Sequence, residues 1–349
     1  MSNRIGILTF HHTTNYGATL QAWALQNYLI QLGISSEIID YQPSAARSTY
    51  RRVLFYNRRF LIGLKKMLNF KHFRRRHLSL SSETLFDLPS LQTVVAQYDT
   101  VIFGSDEIWN TSSFRGYDAG FFLGFPALSH IRKFSYAASA GSTVSFGDKK
   151  NVIAAALNKF TAVSVRDKST QSLLSNECGV VSETMVDPTL LVDFSDLISQ
   201  HPKQREDYVL IYGSLNAIEQ RLVIDKAKEL NCRIFSVGEF NRCADKNFLS
   251  AGIQTWLELF NGAQVVFTSF YHGAIFAWKL SRPLIVFERP SKIRKIKGFV
   301  EELALKSTLL PMGGDDDAVA VAYESSTQTL LRLEAAISKA ERFLRNVEL

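Results

Sequence analysis

The hexapeptide Thr268-Ser269-Phe270-Tyr271-His272-Gly273 joins one apolar run, Gln264 to Thr268, to another, Ala274 to Leu280. A strand-to-helix turn of this kind can do acid chemistry on an anion. His272 brings an imidazole able to donate a proton near neutral pH, and Gly273 lets a ligand approach the backbone. A following helix offers free N–H groups to a phosphate. Ser269 and Gly273 would then touch the ligand; the plainer alternative is a hydrogen-bonded structural histidine. The stretch Gly104-Ser105-Asp106-Glu107-Ile108-Trp109-Asn110 suits sugar recognition. Ser105 and Glu107 can bond hydroxyls, Trp109 can cover a ring face, and Asp106 can accept a hydroxyl proton or simply cap a helix. Arg166, at the end of the run before Asp167-Lys168-Ser169-Thr170, can hold phosphate or carboxylate, or pair with Asp167 or another acid. Finally, His11 to Gly17 contains Asn15, Tyr16 and Gly17, which either contact an anion or a sugar hydroxyl or form an ordinary turn. His11 and His12 have no third ligand nearby in sequence, which argues against a metal.

These turns need strands and helices to hold them. Arg4 to Phe10 reads as a buried parallel strand. Ala18, Ala22, Leu25, Leu29 and Leu32 repeat at helical spacing up to Gly33, and Ser36 to Tyr41 reads as the next strand. A βαβ opening predicts an open parallel sheet. Further strands are expected at Thr100 to Phe103, Phe134 to Ala137 and Ala162 to Val165. A second series is expected at Tyr208 to Tyr212, Arg233 to Val237, Gln264 to Thr268 and Leu284 to Phe287. The expected architecture is α/β: two Rossmann-like doubly wound domains facing a cleft. An acceptor-side domain spans 1–195 with a basic insertion at 47–77, a donor-side domain spans 196–324, and a terminal helix spans 325–349.

A chain of 349 residues with 46% hydrophobic residues has room for two cores. The first apolar run is too short for a signal peptide, and no run reaches a membrane-spanning length. Cys178, Cys232 and Cys243 are too scattered for a disulfide or zinc framework. A cytoplasmic protein without metal is expected. The net charge is +7, yet eleven cations fall between Asp40 and Glu83, where no acid occurs, so the remaining chain is net acidic. This excludes general nucleic-acid binding and points to a local anionic partner. Because Phe60, Leu61, Leu64, Leu68 and others interleave with these cations, an anionic membrane surface at the inner face of the membrane is one candidate; packing on the first domain is the other.

Taken in order, the stretches Gly6 to Thr9, Asn15 to Gln21, Gly104 to Asn110, Val165 to Asp167, Val186 to Leu191 and Tyr271 to Gly273 resemble the signature of the polysaccharide pyruvyl transferase family. The resemblance implies a glycosyltransferase type B-like fold, phosphoenolpyruvate as donor substrate, no cofactor, and a sugar of a polysaccharide or lipid-linked oligosaccharide as acceptor. It makes His272 the proton donor or phosphate ligand and gives Arg166 the donor to hold. Two positions depart from the family pattern: Phe270 stands where many members carry arginine, and Glu107 where many carry glutamine. Another cation must then hold the phosphate, and Arg282, Arg289, Lys292, Arg294, Lys295 and Lys297 follow the histidine. A nucleotide-sugar glycosyltransferase of the same fold and a non-catalytic carbohydrate-binding subunit are the rival readings.

Overall fold

A computed structural model describes residues 3–44, 60–123, 128, 130–198, 206–288, 293–310 and 320–347. Residues 47–59 of the basic segment, with Arg289 and Lys292, lie outside the described residues. The chain divides into two compact units: Met1–Phe60, Lys71–Val192 and Ala336–Leu349 make the first, Leu61–Phe70 and Asp193–Ala335 the second. The terminal helix does not stand apart, because its residues from Ala336 onward belong to the first unit.

The first unit is built on strands β1 (Ile5–Leu8), β2 (Ser36–Ile38), β3 (Thr100–Asp106), β4 (Arg132–Ala138), β5 (Ala162–Val165) and β6 (Glu183–Thr184). All neighbours are parallel, in the order β2-β1-β3-β4-β5-β6. The connections carry helices α1 (Tyr16–Gln31), α2 (Phe60–His77), α3 (Leu88–Val95), α4 (Lys150–Leu157) and α5 (Lys168–Cys178), with Leu61–Phe70 of α2 belonging to the second unit. β1 is buried at every residue, as parallel strands covered on both faces must be. Asn15 caps α1 through a bond from the Ala18 N–H, and Gly33 closes it at φ 85°, where a side chain would be strained.

The second unit carries β7 (Tyr208–Tyr212), β8 (Arg233–Val237), β9 (Lys246–Phe248), β10 (Val265–Thr268), β11 (Leu284–Phe287), β12 (Lys306–Leu310) and β13 (Ala320–Glu324). Its helices are α6 (Ala217–Glu229), α7 (Ile253–Asn261), α8 (Tyr271–Lys279), α9 (Ile293–Leu303) and the first half of α10 (Thr327–Arg345), which enters the first unit at Ala336. The order is β12-β13-β11-β10-β7-β8-β9, parallel except for the β11–β13 and β12–β13 pairs. Each unit is thus a doubly wound sheet with its own apolar core.

Topology locates the places where ligands can bind. In the first sheet the chain winds from β1 toward β2 but from β3 toward β4, so the order reverses between β1 and β3. In the second it reverses between β7 and β10. Crevices open beyond the carboxyl ends of strands at such reversals. The turns His11 to Gly17 and Gly104 to Asn110 sit at the first reversal, and the turns after Tyr212 and Thr268 sit at the second.

Candidate active site

The first crevice is tied together from below by Gln21. Its amide donates to Thr9 Oγ1 at 3.0 Å, to the Phe10 carbonyl at 3.0 Å and to the Ala18 carbonyl at 2.8 Å, and its oxygen accepts from the Ser105 N–H at 3.2 Å. Thr9 Oγ1 in turn donates to the Ser105 carbonyl at 2.9 Å. One buried glutamine therefore fixes the ends of β1 and β3 and the start of α1.

The backbone at the end of β3 is strained. Asp106 has φ 75° and Ala137, on neighbouring β4, has φ 48°. Each non-glycine residue held there costs of order 1–3 kcal/mol, a cost that tends to persist where a side chain must be aimed. The Asp106 carbonyl accepts from the Ser139 N–H at 2.9 Å, and Ser139 Oγ donates to Asp167 at 2.8 Å. Asp167 caps α5 by accepting from the Thr170 N–H at 2.7 Å. This ladder fixes the ends of β3, β4 and β5 relative to each other. It leaves Asp106 only partly buried, with Oδ1 accepting from the Glu107 N–H at 2.8 Å.

Several sequence expectations change at this crevice. Trp109 offers no face to a sugar: it is wholly buried, donates to the Phe121 carbonyl at 3.0 Å and stacks on Phe122. Tyr16, Gly17 and Ser105 are also buried, because α1 is enclosed over most of its surface and Ser105 lies inside the sheet edge. Asn15 remains exposed but is engaged as a helix cap. Glu107 Oε2 accepts from Asn110 Nδ2 at 2.7 Å, and Asn110 Oδ1 accepts from Thr143. Arg166 does not reach out to a donor. Its Nη1 donates to Asp187 Oδ2 at 3.0 Å with both side chains buried, while Asp187 Oδ1 accepts from the Thr189 N–H and hydroxyl.

His11 is enclosed as well. Nδ1 lies 3.0 Å from the Thr9 carbonyl and Nε2 lies 2.8 Å from Asp40 Oδ1. Both ring nitrogens of His11 are thus held between the Thr9 carbonyl and the Asp40 carboxylate. Asp40 also accepts from Gln42 and Thr84; burial pushes its carboxyl up, but the bonds from His11 and these partners prevail and hold it well below the usual range.

In the second crevice, Thr268 Oγ1 donates to the Tyr212 carbonyl at 2.7 Å and accepts from the Phe270 N–H at 3.0 Å. The following chain enters α8 at Tyr271, so His272 and Gly273 lie in the first helical turn rather than before it. No side chain caps that turn. Packing demands glycine at Gly273, since a Cβ there would stand 2.2 Å from Thr268 Oγ1 and 2.9 Å from the Tyr212 ring. Across the reversal, Gly213 at φ 146° brings the end of β7 against Ser269, whose Oγ would stand 3.0 Å from an added Cβ. Ser269 is buried at this contact, and His272 is half-buried.

Phe270 supplies no cation; its ring lies 4.9 Å from that of Tyr212. Of the cations expected to compensate, Arg282 precedes β11, at the amino end of the strand, and reaches Asn261 Oδ1 at 3.5 Å. Lys297 pairs with Glu288 at 3.6 Å.

Sequence reasoning passed over Asn241, a hub beside Gly213. Its Nδ2 donates to the Gly213 carbonyl at 2.8 Å and to Ser236 Oγ at 2.9 Å, and its Oδ1 accepts from the Leu215 N–H at 3.1 Å. Its only local signal was a polar residue following a buried strand. Among the described residues no three His, Cys, Asp or Glu side chains gather as a metal site, and no helix is long and apolar enough to cross a membrane.

The family model described as polysaccharide pyruvyl transferase matches residues 15–291. No curated protein matches the sequence. Among solved structures, a protein described as a UDP-N-acetylglucosamine 2-epimerase from Listeria monocytogenes aligns with TM-score 0.52 and 10% identity, covering 99% of this chain and 89% of that one. An E. coli heptosyltransferase with ADP-2-deoxy-2-fluoro heptose aligns with TM-score 0.40 and 15% identity, covering 86% of this chain and 99% of its own. At these identities the first likeness speaks for the fold alone.

Proposed function

The chain belongs to the polysaccharide pyruvyl transferase family, and from that premise we propose that it moves pyruvate from phosphoenolpyruvate onto a sugar of a cell-surface polysaccharide or its precursor, as a cyclic ketal. The observation that carries this reading is the placement of His272 in the first turn of α8, at the reversal between β7 and β10. There a helix start favours an anion, and the imidazole stands beside it.

His272 gives a proton to the methylene carbon of phosphoenolpyruvate, which leaves the adjacent carbon electrophilic. A sugar hydroxyl adds to that carbon and loses its proton to a base, a role we assign to Asp106. The carbon–oxygen bond to phosphate breaks, and a second hydroxyl of the same sugar closes the ketal and releases its proton. The products are the pyruvylated sugar and inorganic phosphate. Acid and base supply the proton transfers, and donors directed at the leaving phosphate stabilise it. The scheme calls on no metal or organic cofactor.

The same reading places the protein in the cytoplasm, at the inner face of the membrane. In its support, Leu61 and Leu68 of α2 are 75% and 54% exposed, and they share a helical face with exposed Lys65 and Arg75. Phosphate release from phosphoenolpyruvate, followed with candidate acceptors, tests the activity. Binding of a nucleotide sugar without binding of phosphoenolpyruvate would replace it with glycosyl transfer.

A further inference from the structure

Cationic side chains gather near the Asp40 carboxylate at the end of β1. His11 Nε2 is engaged with Asp40, and Asp40 also accepts from Gln42 and Thr84. Around this pair stand Arg74, near enough for its charge to act on both His12 and Asp40, and Arg115, whose guanidinium lies 4.1 Å over the Phe10 ring. Both ring nitrogens of His12 and Nη1 of Arg74 are shielded from solvent and have no hydrogen-bond partner. Buried polar groups in native proteins are nearly always bonded. Here three such nitrogens occur on two neighbouring side chains, at the strand end where the first sheet reverses.

We propose that the end of β1, with His12, Arg74 and Arg115, binds a phosphate-class oxyanion carried by the acceptor substrate. The inference rests on the transfer reading above and deepens it: the acceptor is a sugar that bears a phosphate or diphosphate group, rather than a finished neutral polymer. Two guanidinium groups and an imidazole in one neighbourhood suit the several oxygens of a phosphate, and α1 begins just beyond with its amino end favouring negative charge. His12 completes the site by responding to the ligand. Burial, then the charges of His11, Arg74 and Arg115, push its imidazole down to about 3, against a weaker opposing pull from Asp40, so it is neutral in the empty site. An oxyanion beside it favours the protonated ring, and binding therefore takes up a proton.

The test is calorimetric titration of the full chain with inorganic pyrophosphate, geranyl diphosphate, inorganic phosphate and phosphoenolpyruvate, in two buffers of different ionisation enthalpy. Both diphosphates are expected to bind with proton uptake, and Arg74→Gln and Arg115→Gln are each expected to weaken them about tenfold or more. His12→Gln should abolish the proton uptake, and phosphoenolpyruvate affinity should stay unchanged in all three variants. Arg115→Gln, on the half-exposed side of the cluster, keeps the test valid should Arg74→Gln fold poorly. Diphosphate affinity indifferent to both arginine variants would overturn the site. Loss of diphosphate binding in His272→Asn would move it to the other crevice. Inorganic phosphate binding as tightly as geranyl diphosphate would reject the acceptor as its source. Failure of phosphoenolpyruvate to bind in the same titrations would count against the transfer reading, independently of the oxyanion site.

Discussion

Nη1 of Arg166 meets Oδ2 of Asp187 at 3.0 Å, and only 4% and 0% of the two side chains reach solvent. Removing one member of a buried pair strands the charge of the other. Arg166→Ala is therefore expected to lower stability by about 3–5 kcal/mol in urea unfolding, while phosphoenolpyruvate affinity of the folded fraction is unchanged. Normal stability with weakened donor binding would instead restore Arg166 to the donor site.

His272→Asn keeps the size of the ring and removes the acid. Turnover is expected to fall by ~10²–10⁴-fold with the melting temperature unchanged, as for loss of a general acid. Near-normal phosphate release would leave His272 a structural residue.

Glu107 accepts a bond from Asn110 that a glutamine oxygen can also accept. Glu107→Gln should accordingly preserve both stability and turnover. A large loss of turnover in a stable Glu107→Gln protein would make Glu107, rather than Asp106, the base.

What the sequence disclosed follows from what burial does to composition. Parallel strands enclosed on both faces read as apolar runs, and Tyr208–Tyr212 is buried at all five residues. The antiparallel strands β12 and β13 carry Lys306, Ser307, Thr308 and Glu324 and gave no such signal. Site chemistry was harder to read, because residue type does not say which way a side chain points. Trp109 stands among polar residues in sequence but turns into the core, and the partner that settles Arg166 lies 21 residues away. The position of His272 was legible because a strand end and a helix start bracket it within a few residues.

Acid should weaken the first unit in two stages. The folded pKa of His12 lies below its unfolded value near 6.5, so the unfolded chain binds more protons and stability falls as pH drops from 6.5 toward about 3. Burial drives this shift first, with His11, Arg74 and Arg115 adding to it and Asp40 opposing it. Asp40 has a folded pKa below 3.8, so its contribution is full above that pH and is lost below it. Urea unfolding between pH 7 and 5 should show a slope that His12→Gln reduces by roughly one proton at most. An unchanged slope would mean that His12 is protonated in the folded protein.

On α2, Leu61→Ser with Leu68→Ser removes exposed apolar area without disturbing the buried Phe70 and Phe73. Binding to vesicles rich in anionic lipid is expected to drop, and the wild-type protein should release at high salt, since each cation near the surface contributes about 1 kcal/mol. Equal vesicle binding by wild type and double variant would leave this face as plain surface.

The last helix has a consequence for how the protein is made. Beyond Ala336 it returns to the first unit, where Lys339 reaches the Thr184 carbonyl, Phe343 packs near Tyr136, and Arg132 donates to the Val347 carbonyl at 2.9 Å. The Arg132–Val347 bond closes a loop of 215 residues. Vectorial synthesis completes the second unit first, even though the chain starts in the other. Until the chain as far as Val347 has been made, the part of the first sheet at Arg132, Tyr136 and Thr184 stays uncovered, and a nascent chain stalled in α10 has a finished second unit and an open first one.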